Sequence, residues 1–330
     1  MSRRLKKVKR VLRRPFEWVG IGLGMLIFSN LPRVWMLGVC DFVSAVMYRF
    51  DDKGRRRSLA NLRVIRGKIK CGGILRPAEV YNPTKAEEKI IRRSYRNMAR
   101  TVGHAFWTCR NAVGRVKAAG EMSEAGKRFL AENKPAVTVS GHIGCWEILS
   151  QLAFLEGHPM MSVAKDIGTG GMTKLLMKAR TSIGQEIVHA DGAFRPLMQG
   201  IKEGKSLGLL VDQVVDTKDG GVWVKFFGVP ITVSAAPAFF SAKGKAPIVV
   251  AWSRPLKDGR YRCEIIATYK SEEARDIRGM TQRCICDLEH VIRRHPSCWV
   301  LNYNFFRNVP DEKAKAVLAI VEKVAGEVCA

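Results

Sequence analysis

Residues 136–156 read AVTVSGHIGCWEILSQLAFLE. A β-branched apolar run ends in Ser140 and Gly141, and an apolar run of helical length follows Cys145. The stretch therefore predicts a buried strand, a tight turn carrying His142, and a helix. The alternation continues through MSVA (161–164), GMTKLLMKARTSIG (171–184), EIVHA (186–190), FRPLMQGIKEG (194–204) and SLGLLV (206–211). Strands alternating with helices imply an α/β fold, a mixed but mostly parallel sheet flanked by helices on both sides. PIVVAWSR and YRCEIIATY, joined through Asp258 and Gly259, predict a hairpin.

Upstream, Thr84 with Glu87 three residues on forms a capping box, and KAEEKIIRRSYRNMARTVGHAFW (85–107) places Ile90, Ile91, Tyr95, Met98, Val102 and Phe106 near one helix face. Residues 51–83 are basic and glycine-punctuated, as expected of a short helix and a connecting loop. The chain thus divides into a basic and hydrophobic N-terminal segment (1–50), a basic linker (51–83) and a main domain (84–330). Within the main domain the chemistry falls in 84–308, and 310–330 predicts a closing helix.

The 330 residues are 47% hydrophobic, enough to bury a substantial core, which excludes overall disorder. Fifty-six Lys and Arg against 30 Asp and Glu give a net charge of +26 and imply an anionic partner: nucleic acid, acidic lipid or an acidic protein. Nine scattered cysteines, with only Cys284 and Cys286 close together, fit a reducing, cytosol-facing compartment better than a disulfide framework. The six histidines show no ligand spacing with carboxylates or cysteines, and TGGMTK lacks the full spacing of a phosphate loop. No metal or nucleotide cofactor is expected.

MSRRLKKVKRVLRR carries eight basic residues and no acid ahead of an apolar stretch over 16–31. That is a positive-inside signature. A second apolar stretch, 34–50, follows Pro32 and Arg33, and neither run clearly reaches the roughly 20 apolar residues a bilayer span needs. A bent or interfacial membrane anchor fits as well as a span; a buried amphipathic helix pair is the alternative. No small-residue cleavage site interrupts the hydrophobicity after Pro32, so the segment reads as retained.

His142 and Glu147 carry the most specific local pattern. With His142 in the turn and Glu147 on the first turns of the helix, the two side chains can meet. A carboxylate on one imidazole nitrogen fixes the tautomer and makes the other nitrogen a general base. Gly141 and Gly144 would allow close backbone approach to substrate, and the helix N-terminus offers N–H groups toward developing negative charge. An isolated H-x-x-x-x-E match is often only a loop histidine and a surface acid. Here it sits at the carboxyl end of a strand, where open α/β sheets place their ligand sites. Ser140 and Cys145 flank His142 but lie in no nucleophile elbow and read as packing residues.

Several ordered blocks accompany the motif. They are KARTSIG with Arg180 and Gly184, FRPLMQGIKEGKSLGLLVDQ with Asp212 and Gln213, VKFFGVPITVSAAPAFFSAKGKAPIVVAW, HPSCWVLNYNFFRN, and RRRSLANLRVI near the start. Together they resemble, from about residue 16 to about residue 308, the late (lauroyl and myristoyl) acyltransferases of lipid A biosynthesis, members of the lysophospholipid acyltransferase superfamily with its H-x-x-x-x-D/E motif. The resemblance implies a glycerolipid-acyltransferase-like fold with an N-terminal membrane anchor. It further implies acyl transfer from acyl carrier protein, or acyl-CoA, to a hydroxyl of a lipid A precursor at the cytoplasmic face of the bacterial inner membrane. His142 would deprotonate the acceptor and Glu147 would stabilise the charged imidazole, with no covalent acyl-enzyme.

Arg180 is a candidate for binding an acceptor phosphate or for neutralising charge near the thioester. Asp212 and Gln213 end an apolar strand, where a polar pair either contacts substrate or holds the His142 loop by hydrogen bonds. Phe226, Phe227 and Gly228 suggest a loop near the acyl path or plain core. The sequence departs from the family pattern at MSVAKDIGTGG, where Lys165 replaces an expected arginine and offers a point charge instead of a planar fork. It also carries an insertion-like KIKCGGILRPAEVYNP before Thr84. Acylation of a lysophospholipid or glycolipid would use the same residues. A nucleic-acid-binding protein would suit the charge, but no signature of such a fold is present. An inactive membrane scaffold is opposed by the intact His142 and Glu147. Acidic carrier protein, anionic phospholipid and lipid phosphates are sufficient partners for the positive charge.

Overall fold

The computed structural model describes residues 24, 26–68, 81–164, 177–178 and 180–306. The basic N-terminus, Lys165, residues 69–80 of the 68–83 insertion and the 310–330 segment lie outside the described residues. In chain order the main elements are α1 (Arg33–Phe50), α2 (Asp52–Ile65), α3 (Lys85–Trp107), α4 (Ala112–Ala119), β1 (Gly120–Met122), α5 (Glu124–Glu132), β2 (Val137–Ser140), α6 (Trp146–Leu155), β3 (Met160–Ala164) and β4 (Glu186–His189). They continue with α7 (Phe194–Lys202), β5 (Ser206–Leu210), β6 (Gly221–Phe226), β7 (Val229–Ser234), α8 (Ala236–Gly244), β8 (Ile248–Pro255), β9 (Tyr261–Tyr269) and α9 (Ile277–Arg294).

Seven strands form one sheet in the order β1-β9-β8-β2-β5-β3-β4. β2 runs parallel to both β5 and β8, and β3 parallel to β5 and β4; the β8–β9 hairpin contributes the antiparallel pairing. This is the mixed, mostly parallel α/β sheet the sequence predicts. β2 is buried along its whole length, which explains why its sequence is a continuous apolar run and not an alternating one. On β8, Ile248, Val250 and Trp252 pack into one core while Val249 and Ala251 pack into another, so both faces of the sheet are covered. Residues of α2, α7, α8, α9 and the β6–β7 hairpin build the first core; residues of α4, α5, α6 and the contact between α1 and α3 build the second.

The Thr84–Glu87 capping box starts α3: the Glu87 amide donates to Thr84 Oγ1 and the Thr84 amide to Glu87 Oε2. Ile91 and Tyr95 of the expected face are buried, but Val102 is 39% exposed. The buried stripe shifts there to Thr101, Gly103 and His104, because α1 crosses at Gly103, where a Cβ would lie 2.3 Å from Cys40 Sγ. α2 belongs to the same core: Leu59, Leu62, Val64 and Ile65 are buried, and Asn61 donates to the carbonyls of Leu301 and Tyr303. The helical half of the basic 51–83 stretch is therefore packed structure.

α1 buries Met36, Cys40, Ser44 and Tyr48, a stripe of four-residue spacing. Its other side leaves Val34, Trp35, Phe42, Val46 and Phe50 exposed. Among the described residues no helix is long and apolar enough to cross a membrane. Among the described residues Cys40, Cys109, Cys145, Cys263, Cys284 and Cys298 are free thiols.

Candidate active site

The β2–β5 register pairs Ser140 with Leu210. Carried two residues past the strand ends, it sets His142 beside Asp212 at the carboxyl edge of the two central strands. Asp212 is fully buried, and its carboxylate accepts three hydrogen bonds. His142 Nδ1 lies 2.8 Å from Oδ1, the His142 amide donates to Oδ2 at 2.8 Å, and the Trp299 indole donates to Oδ2 at 2.9 Å. Burial pushes the Asp212 carboxyl up, but the imidazole and these donors outweigh it and hold the group below its ordinary value. With Nδ1 directed at a carboxylate, Nε2 is left as the acceptor, 3.3 Å from the side-chain nitrogen of Gln213. The His142 side chain is 21% exposed while Asp212 is sealed, so the ring is reachable and its partner is not.

Glu147 is not the carboxylate on His142. Its Oε2 accepts from Arg180 Nε at 2.8 Å and its Oε1 from Arg180 Nη2 at 2.6 Å, a bidentate pair; the Trp146 indole also donates to Oε1. Five residues of spacing carry Glu147 away from the imidazole and onto the guanidinium of Arg180. The Trp146 ring stands between, with its centroid 5.0 Å from that of His142. Burial lowers the Arg180 pKa, but the hydrogen bonds and charge of Glu147 prevail and raise it. Both side chains are mostly buried, at 16% and 8% exposure. Glu147→Gln is therefore expected to lower unfolding stability by about 3 kcal/mol, because it leaves a guanidinium uncompensated in a largely dry site. Urea denaturation checks this; an unchanged midpoint would contradict the pairing.

Gly144 adopts φ +63°, and a Cβ there would fall 1.8 Å from the Ser253 carbonyl oxygen. Its glycine requirement comes from this backbone crossing with β8. Its amide donates to the Cys298 carbonyl, and the Cys145 amide donates to Ser253 Oγ. Both amides precede the first helical residue, Trp146, and are engaged within the protein. Cys145 is fully buried and burial pushes its thiol up to about 12, which leaves it protonated at neutral pH.

The structure groups His142, Asp212 and Gln213 in one cluster and Glu147 with Arg180 in a second, bridged by Trp146. Phe226 and Phe227 are buried at the tip of the β6–β7 hairpin, against Trp299. His104 is buried, with its pKa lowered to about 4 by desolvation, and its Nδ1 meets the Arg100 carbonyl. His158 lies between the Leu130 carbonyl and Ser206 Oγ, and His295 stacks on Trp252. Among the described residues no group of His, Cys, Asp and Glu could hold a metal ion. Trp146 and Trp299 join the site through contacts with His142 and Asp212 that no spacing rule in the sequence signals.

No curated protein matches the chain. The family model described as bacterial lipid A biosynthesis acyltransferase matches residues 3–308, which include both clusters, and the chain belongs to that family.

Proposed function

We propose that this acyltransferase moves a fatty acyl group from a thioester, carried on acyl carrier protein or CoA, to a hydroxyl of a lipid A precursor, with His142 as the general base. The observation that carries the reading is the partly exposed imidazole whose Nδ1 is held by the sealed carboxylate of Asp212. The acceptor hydroxyl would take the place of the Gln213 amide at Nε2 and give its proton to that nitrogen. Its oxygen attacks the thioester carbonyl, the C–S bond breaks as the tetrahedral intermediate collapses, and the imidazolium returns the proton to the leaving thiolate. Asp212 stays ionised throughout and steadies the imidazolium. Glu147 holds Arg180 and Trp146 at the rim of the site, where Arg180 would meet acceptor phosphate or donor charge.

The reading places the enzyme at the cytoplasmic face of the bacterial inner membrane. Trp35, Phe42, Val46 and Phe50 follow one another at seven- and four-residue steps along α1, so they form one apolar stripe. Arg49 near its end and Arg57 on α2 add positive charge, while Arg55 and Arg56 are paired with Asp52. Such a helix suits the plane of an anionic interface. Replacing Trp35, Phe42 and Phe50 together by serine is expected to weaken binding to anionic vesicles more than about tenfold, since each ring buried in lipid contributes roughly 1.5–3 kcal/mol. Co-sedimentation measures it, and unchanged binding would remove α1 from the interface.

The test of the reaction is acyl transfer by detergent-solubilised enzyme, with radiolabelled acyl donors offered to a lipid A precursor and to a lysophospholipid side by side. Labelling of the lipid A precursor is expected. Labelling of the lysophospholipid alone would move the acceptor to another lipid class, and labelling of neither would overturn the proposal.

A further inference from the structure

Trp299 is fully buried among three aromatic rings, those of Phe226, Phe227 and Phe305, and one carboxylate. Its ring stacks on Phe305 with centroids 3.9 Å apart, and Phe226 stands edge-on at 5.6 Å. Its backbone is tied to the loop that carries His142. Ile143 and Trp299 form an isolated antiparallel bridge, the Val300 amide donates to the His142 carbonyl, and the Cys298 carbonyl accepts from Gly144. The Trp299 carbonyl accepts from Ser94 Oγ of α3 at 2.6 Å. A residue fixed on every side in this way has one polar side-chain atom to direct, and it directs that N–H at Oδ2 of Asp212.

We propose that Trp299 is a positioning residue for the acyltransferase reaction: its indole N–H orients the Asp212 carboxylate and takes up part of its charge, and so sets how strongly Asp212 holds the His142 ring. The inference rests on the reading of His142 as the base. An anion sharing its charge among three donors attracts an imidazolium less than one with two. The indole thereby favours the unprotonated ring that can accept a proton, while keeping Oδ1 aimed at Nδ1. The groups facing this cluster leave the role to Trp299. His142 comes from the loop after β2; Cys298, whose thiol burial pushes up to about 11, is uncharged at neutral pH. Glu147 and Arg180 pair with each other behind Trp146, and Glu289 and Arg293 of α9 meet Phe227 and not Asp212.

Trp299→Phe keeps an aromatic ring in the stack and removes the donor; Phe305→Leu breaks the stack and leaves the donor. In Trp299→Phe the acid limb of the kcat/KM profile is expected to move up by about half a pH unit. The His142 ring titration followed by NMR should move the same way. Phe305→Leu should lower thermal stability and move neither. A folded Trp299→Phe protein whose acid limb and ring titration coincide with those of the unaltered enzyme, or move to lower pH, would overturn the proposal. Should Trp299→Phe fail to fold, the indole N–H resonances of the unaltered protein and of Asp212→Asn decide. Displacement of one indole resonance supports the role, and an unchanged set overturns it. Ring titration and indole resonances need no substrate, so they remain readable even if no acyl transfer to the lipid A precursor is found.

Discussion

His142→Ala is expected to slow acyl transfer by a factor on the order of 10²–10⁴, the usual contribution of a positioned general base, while the protein stays folded. The side chain is partly exposed and its ring makes one strong contact, with Asp212. After its removal Asp212 still accepts from the residue-142 amide and from Trp299, so the buried charge keeps two of its three donors. The stability cost should stay within about 1.5–3 kcal/mol, the range for one hydrogen bond to a charged group. Initial transfer rates, with thermal denaturation of the same preparation as the folding check, measure both quantities. Transfer at the original rate in a folded variant would remove His142 from the chemistry.

Asp212→Asn is expected to cost a similar factor, up to about 10⁴ in kcat, with little change in KM. Asp212 is sealed from solvent, so it acts through His142 and not on substrate. The amide offers a donor where the ring needs an acceptor, which either turns the imidazole tautomer over or breaks the contact. A loss confined to KM would argue for a substrate contact instead. The same substitution should alter acid stability. The folded-state pKa of Asp212 is held below its ordinary value, so its ionised form favours the folded protein above the normal carboxylate range. That contribution is lost as pH falls through the depressed folded value, and a variant without the ionisable group should show a shallower acid unfolding profile.

Much of the frame was legible because local chemistry and tertiary structure agree. The apolar run of β2, the capping box at Thr84 and the Asp258–Gly259 turn each describe their own element without help from distant residues. The β6–β7 hairpin was not recognised, because its apolar residues pack into the core from both strands and blur the alternation of an exposed ribbon. The site divides the same way. His142 and Asp212 each stand out as a polar residue ending an apolar strand, but their adjacency depends on sheet order. β5 inserts between β2 and β3, a crossover that no spacing in the sequence encodes. Without it, Glu147 is the nearest carboxylate to His142 in the chain and becomes its presumed partner. Its actual partner, Arg180, lies 33 residues away and was singled out only for a possible substrate role.

The decisive experiment is a double-substitution cycle on single-turnover transfer from acyl carrier protein to the lipid A precursor, comparing the unaltered enzyme, His142→Ala, Asp212→Asn and both together. If Asp212 works through the His142 ring, the doubly substituted enzyme is no slower than His142→Ala alone, as expected for residues acting as one unit. Losses that multiply, or full-rate transfer without His142, would contradict a His142–Asp212 general base.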